Sequence, residues 1–345
     1  MKASYKKYML KFKRPAGTSR GVLTQKESWF IRITANGKEG IGECGLLRGL
    51  SIDDSPDYEQ KLQWACNTIE LGKEALWDAL EAFPSIQFGI EQAFKSLEST
   101  APFLLFPSEF TVGKAAIPIN GLIWMGDAAF MKRQIAEKLD AGFRCIKMKI
   151  GAIDFNTEIE ILTSLREEFS PEDVEIRVDA NGAFHPDEAL ENLKRLSDLS
   201  LHSIEQPIKA GQPEAMAKLC ETSPLPVALD EELIGIFDPK EKAQLLRTIK
   251  PHYIILKPSL VGGFKGAEQW ITLAEEQHVK WWITSALESN VGLNAIAQWT
   301  FTLQNNRPQG LGTGSLFTNN FTSPLTVKDD SLQYLCNKKW AFNLF

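Results

Sequence analysis

The sequence predicts an α/β fold in which parallel strands close into a (β/α) barrel behind a smaller α+β segment. Two observations carry this expectation. Short apolar runs recur from about residue 115 with amphipathic segments of helical spacing between them, and no GxGxxG turn follows an early strand. Residues 1–110 lack that repeat. Lys7–Lys13 and Ser28–Ile33 alternate as strands do, and Arg14-Pro15-Ala16-Gly17-Thr18-Ser19-Arg20-Gly21 between them reads as a flexible loop. Asn36-Gly37 favours a two-residue turn that carries the hairpin on to Gly40–Glu43. Residues 57–82 and 86–100 read as helices, separated at Phe83-Pro84 because proline disfavours a continuous helix. Pro102, Pro107 and Gly113 then punctuate the passage into the repeat.

The expected barrel strands are Ala116–Trp124, Arg144–Ile150, Val174–Val178, Leu201–Glu205, Pro226–Leu229, Tyr253–Leu256 and Val279–Ile283. A weaker eighth lies around Gln309–Gly314. Phe130–Leu139, Glu158–Arg166 and Gly266–Glu276 have helical spacing, and alternation of this size builds right-handed βαβ units. An open doubly wound sheet is the alternative. Division is expected into 1–110, 111–320 and 321–345. The last segment, with Phe321, Leu325, Tyr334, Trp340 and Phe342, is apolar enough to pack back on the first.

Composition excludes several classes. Hydrophobic residues make up 43% of the 345, with 20 Phe and 9 Trp, which suits a packed globular chain rather than a disordered one. A net charge of −6 without a long basic tract offers nothing to nucleic acid. Met1–Lys7 is basic, but the apolar run of a signal peptide does not follow, and no run approaches a membrane span. Five scattered cysteines without a CxxC pair suit reduced thiols in a cytoplasmic protein better than disulfides or zinc. With four unclustered histidines, His185, His202, His252 and His278, the chemistry falls to other groups.

Charged residues interrupt the apolar strands at their ends. Lys147 and Lys149 share one face of their strand through i,i+2 spacing. Asp179, Glu205, Asp230 and Lys257 end four later strands at intervals of 26, 25 and 27 residues, each about one strand, helix and return loop. Consecutive barrel strands would bring all six to the C-terminal rim, where such barrels hold their sites. Three converging carboxylates repel strongly. A hard divalent cation relieves that repulsion, and oxygen-only ligation favours Mg2+ over zinc, with Mn2+ as a substitute.

A substrate carboxylate on such an ion has a more acidic α-proton. Lys149 is the expected base, because Lys147 and the metal both disfavour a second ammonium and draw its pKa toward neutrality. Lys147 stays protonated against the substrate carboxylate. Lys257 approaches from the opposite side, as a second acid–base group or as a fixed cation. Any one of these carboxylates could instead cap the next helix or pair with a lysine. Arg177 either binds a carboxylate or pairs internally. Asn181 and Gln206 are expected to support the site. Asp230 and Glu231 are strand neighbours pointing opposite ways, so one of the two reaches the ion. Trp281 and Trp282 read as packing residues.

Lys147-x-Lys149, Asp179-Ala180-Asn181-Gly182, Glu205-Gln206-Pro207, Asp230-Glu231 and Lys257-Pro258 resemble the pattern of the enolase superfamily, in its muconate lactonizing enzyme branch. The resemblance spans nearly the whole chain. It implies an α+β capping domain, a modified (β/α)7β TIM-like barrel and a C-terminal return to the cap. It also implies Asp179, Glu205 and Asp230 as Mg2+ ligands, with Lys149 and Lys257 flanking the substrate.

Arg177–Asn181, Ser285–Leu293 and Gln309–Gly314 are most similar to the o-succinylbenzoate synthase family of menaquinone biosynthesis. That similarity implies a syn-dehydration. Lys149 would remove the α-proton and return it to the departing hydroxyl, while Lys257 steadies the enediolate and Lys147 assists orientation. N-acylamino acid racemases, dipeptide epimerases and cycloisomerases share the lysine pair and form the alternative. Gly310–Gly314 lacks the Asp-x-Asp with which dipeptide epimerases hold an α-ammonium, and suits an uncharged or anionic tail. The cap would close over the mouth through a lid at Gly17–Thr24 that includes Arg20, with Arg48 on Gly45–Ser51 lining the same opening. Glu288 would hydrogen-bond toward the Lys257 region, or lie in a surface loop.

Overall fold

A computed structural model describes residues 1–18 and 21–345. The chain opens with a three-stranded antiparallel sheet of β1 (Lys2–Thr18), β2 (Gly21–Ala35) and β3 (Lys38–Cys44). Asn36 and Gly37 both adopt positive φ, at 52° and 75°. A tight hairpin turn of matching twist requires this, and Asn-Gly supplies it at little cost. β2 is buried on both faces: Trp29, Ile31 and Ile33 pack under helices, while Phe30 packs on the opposite side.

One expectation fails here. Arg14–Thr18 is not part of a free loop, because β1 runs to Thr18 and pairs with β2 through Gly17↔Val22. The register shifts between Lys11 and Ala16, so Pro15, which lacks an N–H, falls in the irregular stretch instead of in a regular ladder. Arg20, expected in the lid, lies outside the described residues.

α1 (Tyr58–Asn67), α2 (Lys73–Ala79) and α3 (Pro84–Glu98) cover the inner face of this sheet. Pro84 opens α3 at the expected break. A second break was not foreseen: Gly72, at φ 83°, ends the turn Ile69–Leu71 and restarts the chain as α2.

The expected first barrel strand divides in two. β4 (Ile117–Pro118) pairs with the C-terminal hairpin, and β5 (Gly121–Ile123) begins the barrel. Then follow α4 (Ala128–Asp140), β6 (Cys145–Lys149), α5 (Phe155–Glu168), β7 (Glu175–Asp179), α6 (Pro186–Ser197) and β8 (Ser203–Glu205). The repeat continues through α7 (Pro213–Thr222), β9 (Val227–Leu229), α8 (Pro239–Ile249) and β10 (Tyr253–Leu256). It ends with α9 (Pro258–Val261), α10 (Gly263–Glu276), β11 (Lys280–Ile283) and α11 (Asn290–Thr302).

β5 to β11 form one parallel sheet in chain order, curled until its edges nearly meet. Gln309 and Gly310 close the gap, with Gln309 N donating to Pro118 O and Gly310 N to Ile283 O, both at 2.8 Å. The eighth position is thus two residues long, and Gly312–Ser315 turns away as a 3-10 helix. A Cβ at Gly310 would stand 2.4 Å from Thr284 Oγ1, so only glycine allows this approach.

β12 (Leu325–Lys328) and β13 (Ser331–Tyr334) return alongside β4. Phe321 and Phe342 reach the outer face of the first sheet, with ring centroids 5.3 and 5.8 Å from Phe30. Among the described residues no helix is long and apolar enough to cross a membrane.

One buried cation stands apart from any site. Lys242 on α8 is 2% exposed, and its ammonium donates to Gln269 Oε1 at 2.7 Å beside the Trp270 ring. Burial lowers its pKa from 10.5 to about 8. Between those values the unfolded chain binds more protons than the folded one, so the stability due to this group rises with pH across that window and is lost as pH falls toward 8. Lys242→Met should therefore stabilise the fold at pH 7, by something of the order of 3 kcal/mol at most. The gain should shrink as pH approaches 10, and urea unfolding of both proteins at pH 7 and 9.5 checks it.

Candidate active site at the barrel rim

The strand register fixes the site. Lys149 is the Cα partner of Asp179, and Asp179 of Glu205, so three adjacent strands end at one level. Asp230 and Lys257 follow the last residues of β9 and β10. All six expected residues come together. Lys147 Nζ lies 3.0 Å from Asp179 Oδ2 and 2.6 Å from Glu205 Oε2. Lys149 Nζ lies 2.8 Å from the same Asp179 oxygen, and the Lys257 ammonium donates to Asp230 Oδ2. Lys149 and Lys257 therefore enter from different sides of the barrel, and each contacts a different carboxylate.

Asn181 and Gln206 support this centre. Both sit just beyond a strand end in the left-handed region, at φ 45° and 40°. Asn181 accepts from Lys149 Nζ at 2.6 Å and donates to Glu231 at 3.0 Å. Gln206 accepts from the Asp230 amide at 3.2 Å and donates to Glu232 at 3.0 Å.

The strand alternation expected for Asp230 and Glu231 does not apply. The strand stops at Leu229, and Glu231–Leu233 is a 3-10 turn, which sends Asp230 into the charge cluster and Glu231 over to Asn181. Glu232 was missed from sequence because its partners lie on the neighbouring β8 loop. Arg177 pairs internally: it bonds Glu175 and the Pro308 carbonyl and lies 4.4 Å from the Trp282 ring, beneath the site.

Electrostatics follow from three carboxylates and three ammonium groups in a nearly dry place. Burial disfavours the Lys147 ammonium, but Asp179 and Glu205 outweigh it and hold its pKa above the ordinary lysine value. Lys257 is held up against its burial by Asp230 and Glu205. Asp179 stays well below the usual carboxylate range, because Lys147 and Lys149 overcome its burial. Glu205 goes the other way: burial, reinforced by Asp179, pushes it up to about 7 despite Lys147.

The donors fit a hard cation. Glu205 Oε1 is buried without a hydrogen-bond partner, and all the acidic groups at the rim offer oxygen. Among the described residues no three acidic, Cys or His side chains already converge as a metal cage, since the lysine ammonium groups stand between the carboxylates.

Above the centre lies a cavity of about 470 Å3. Its far wall comes from the first sheet, through Phe12, Ala16 and Leu23, and from Leu47 just beyond it. The β1–β2 hairpin is tied across the mouth by bridges from Phe12 to Phe317 and from Gly17 to Met125. Arg48 lines the same cavity, but its guanidinium is held by Glu27 at 2.5 Å and Asp54 at 2.6 Å. Ser285 and Thr313, from segments singled out in the sequence, share a hydroxyl hydrogen bond of 2.6 Å at its edge. Glu288 is fully buried and accepts from the Ser259 hydroxyl, two residues beyond Lys257, which excludes the surface-loop alternative.

Residues 130–335 match the family model described as enolase C-terminal domain-like. The chain is 48% identical to the o-succinylbenzoate synthase of Desulfotalea psychrophila, over 95% of this chain and 97% of that one. It is 27% identical to the L-Ala-D/L-Glu epimerase of Bacillus subtilis, over 92% and 86% of the two chains. The crystal structure of MenC from Desulfotalea psychrophila superposes with a TM-score of 0.86 at 44% identity, covering 96% of this chain and 99% of that one. With a family model matched over more than half its length and a near-full-length relative at 48% identity, the chain belongs to the enolase superfamily.

Proposed function

We propose that the chain is an Mg2+-dependent o-succinylbenzoate synthase, a hydro-lyase of menaquinone biosynthesis. It would convert 2-succinyl-6-hydroxy-2,4-cyclohexadiene-1-carboxylate into 2-succinylbenzoate and water. The near-full-length identity to an o-succinylbenzoate synthase carries this reading. The cavity supports it. Lys13 and Lys138 line it beside Lys147, Lys149 and Lys257, whose charges Asp179, Glu205 and Asp230 already balance, and this added cationic lining suits an anionic substrate.

Asp179, Glu205 and Asp230 would hold the ion, which supplies positive charge beside the substrate carboxylate and so acidifies the α-proton. Lys149, steadied by Asn181, takes that proton. Lys147 keeps its charge and orients the carboxylate. Lys257, on the other side, remains an ammonium and stabilises the negative charge that develops on the carboxylate oxygens. Lys149 then returns its proton to the departing hydroxyl on the same face. The electrons of the former C–H bond enter the ring, the C–O bond breaks, water leaves and the ring becomes aromatic.

A second reading, racemisation or epimerisation of an N-acylated amino acid or dipeptide, is favoured by the two-sided lysine pair. Against a dipeptide, Gly310–Gly314 offers no carboxylate to an α-ammonium. Incubation of the chain with each substrate and Mg2+ decides between them. Growth of aromatic ultraviolet absorbance is expected; racemisation with no measurable dehydration would sink the proposal.

Metal binding has its own readout. Mg2+ at about 100 times its Kd should stabilise the fold by about 2.7 kcal/mol, raising the Tm relative to protein in chelator. The shift should vanish in Asp179→Asn, and its absence from the unsubstituted protein would count against the ligand set.

A further inference from the structure

Behind the cavity wall, at the seam between the first sheet and the barrel, six polar side chains are buried. Lys26, Ser28 and Glu43 come from β2 and β3; Ser259, Glu288 and Ser289 come from the barrel. Two carboxylates around one ammonium are costly to bury unless each is hydrogen-bonded. Here they are. Lys26 Nζ donates to Ser28 Oγ at 3.1 Å, and Ser28 Oγ to Glu43 Oε1 at 2.8 Å. Glu43 also accepts the amides of Ser289 and Gly292, each at 2.9 Å, so a carboxylate of the first sheet is seated on the N-terminus of α11.

Glu288 precedes that N-terminus and accepts from the Ser259 hydroxyl, in the short helix whose cap residue is Lys257. The Gly45 backbone packs against the Ser259 and Glu288 side chains, where a Cβ would meet both Ser259 Cβ and Glu288 Cγ at 3.0 Å. Cavity wall flanks the network on each side. Leu47 lies two residues past Gly45, and Leu287 lines the cavity at φ 63°, a left-handed conformation that a leucine adopts only under constraint.

We infer that Glu288 is a positioning residue for Lys257, and that Glu43 and Lys26 extend its hold to the first sheet. The cavity's far wall and the Lys257 ammonium then move as one unit. The inference rests on the dehydratase reading for its kinetic assay alone.

Ser259→Ala should lower kcat about three- to thirtyfold while KM stays within about twofold, and Ser259→Thr should restore it. Equal kcat in Ser259→Ala and the unsubstituted enzyme would overturn the role of Glu288. A second measurement needs no turnover. In Glu43→Gln, whose altered side chain does not touch the Lys257 turn, amide hydrogen exchange at 259–261 should rise at least about threefold. Unchanged exchange there would overturn the coupling. If Glu43→Gln does not fold, Lys26→Met gives the same readout. A chain that does not dehydrate the substrate at all would remove the dehydratase reading and leave the exchange result to decide this one.

Discussion

Replacing Lys149 with alanine should lower kcat for dehydration roughly ten-thousandfold, with the fold intact. The size of the loss follows from its two duties, taking the α-proton and returning it to the leaving hydroxyl. Tolerance of the change follows from the salt-bridge geometry. Asp179 keeps Lys147 at 3.0 Å when Lys149 is gone, so no buried carboxylate is left without a cation. Steady-state absorbance measurements and thermal unfolding of the variant check both halves. Activity above about a tenth of the starting value would remove Lys149 from the chemistry.

Lys257→Met should cost about a hundred- to a thousandfold in kcat, the usual scale for losing a fixed charge at a developing anion. It should also destabilise the metal-free protein, since Asp230 loses the ammonium that neutralises it. Lys257→Arg separates the two proposed functions. Arginine keeps the charge but does not give up a proton, so the variant should recover part of the dehydratase activity. Racemisation, which needs proton transfer on both faces, should stay at the level of Lys257→Met. Equal loss of dehydration in both variants would argue for a proton-transfer role instead.

The rim was legible in the sequence because charge breaks an otherwise apolar alternation at the ends of five strands, the last four breaks at near-regular intervals. The barrel was legible for the same reason. Its closure was legible only in outline: the eighth strand was expected around Gln309–Gly314, but the contact that closes the barrel is two residues long, Gln309-Gly310. The strand character of Arg14–Thr18 was masked by proline and glycine, which the irregular register between Lys11 and Ala16 accommodates. Asp230 and Glu231 escaped the two-residue rule because the chain leaves the strand one residue earlier. The seam was invisible for another reason. Glu43 and Ser289 are 246 positions apart, and neither sits in a pattern that announces the other.

The packing of Phe321 and Phe342 on Phe30 has a consequence for how the chain matures. The first sheet is synthesised well before residues 321–342, whose side chains cover one of its faces. Until they arrive, Phe30 and Ile41 present an apolar surface to the cell, and the sheet that helps shape the cavity stays unfinished. A chain truncated before residue 321 should therefore expose Phe30 and Ile41 and aggregate more readily than the longer one.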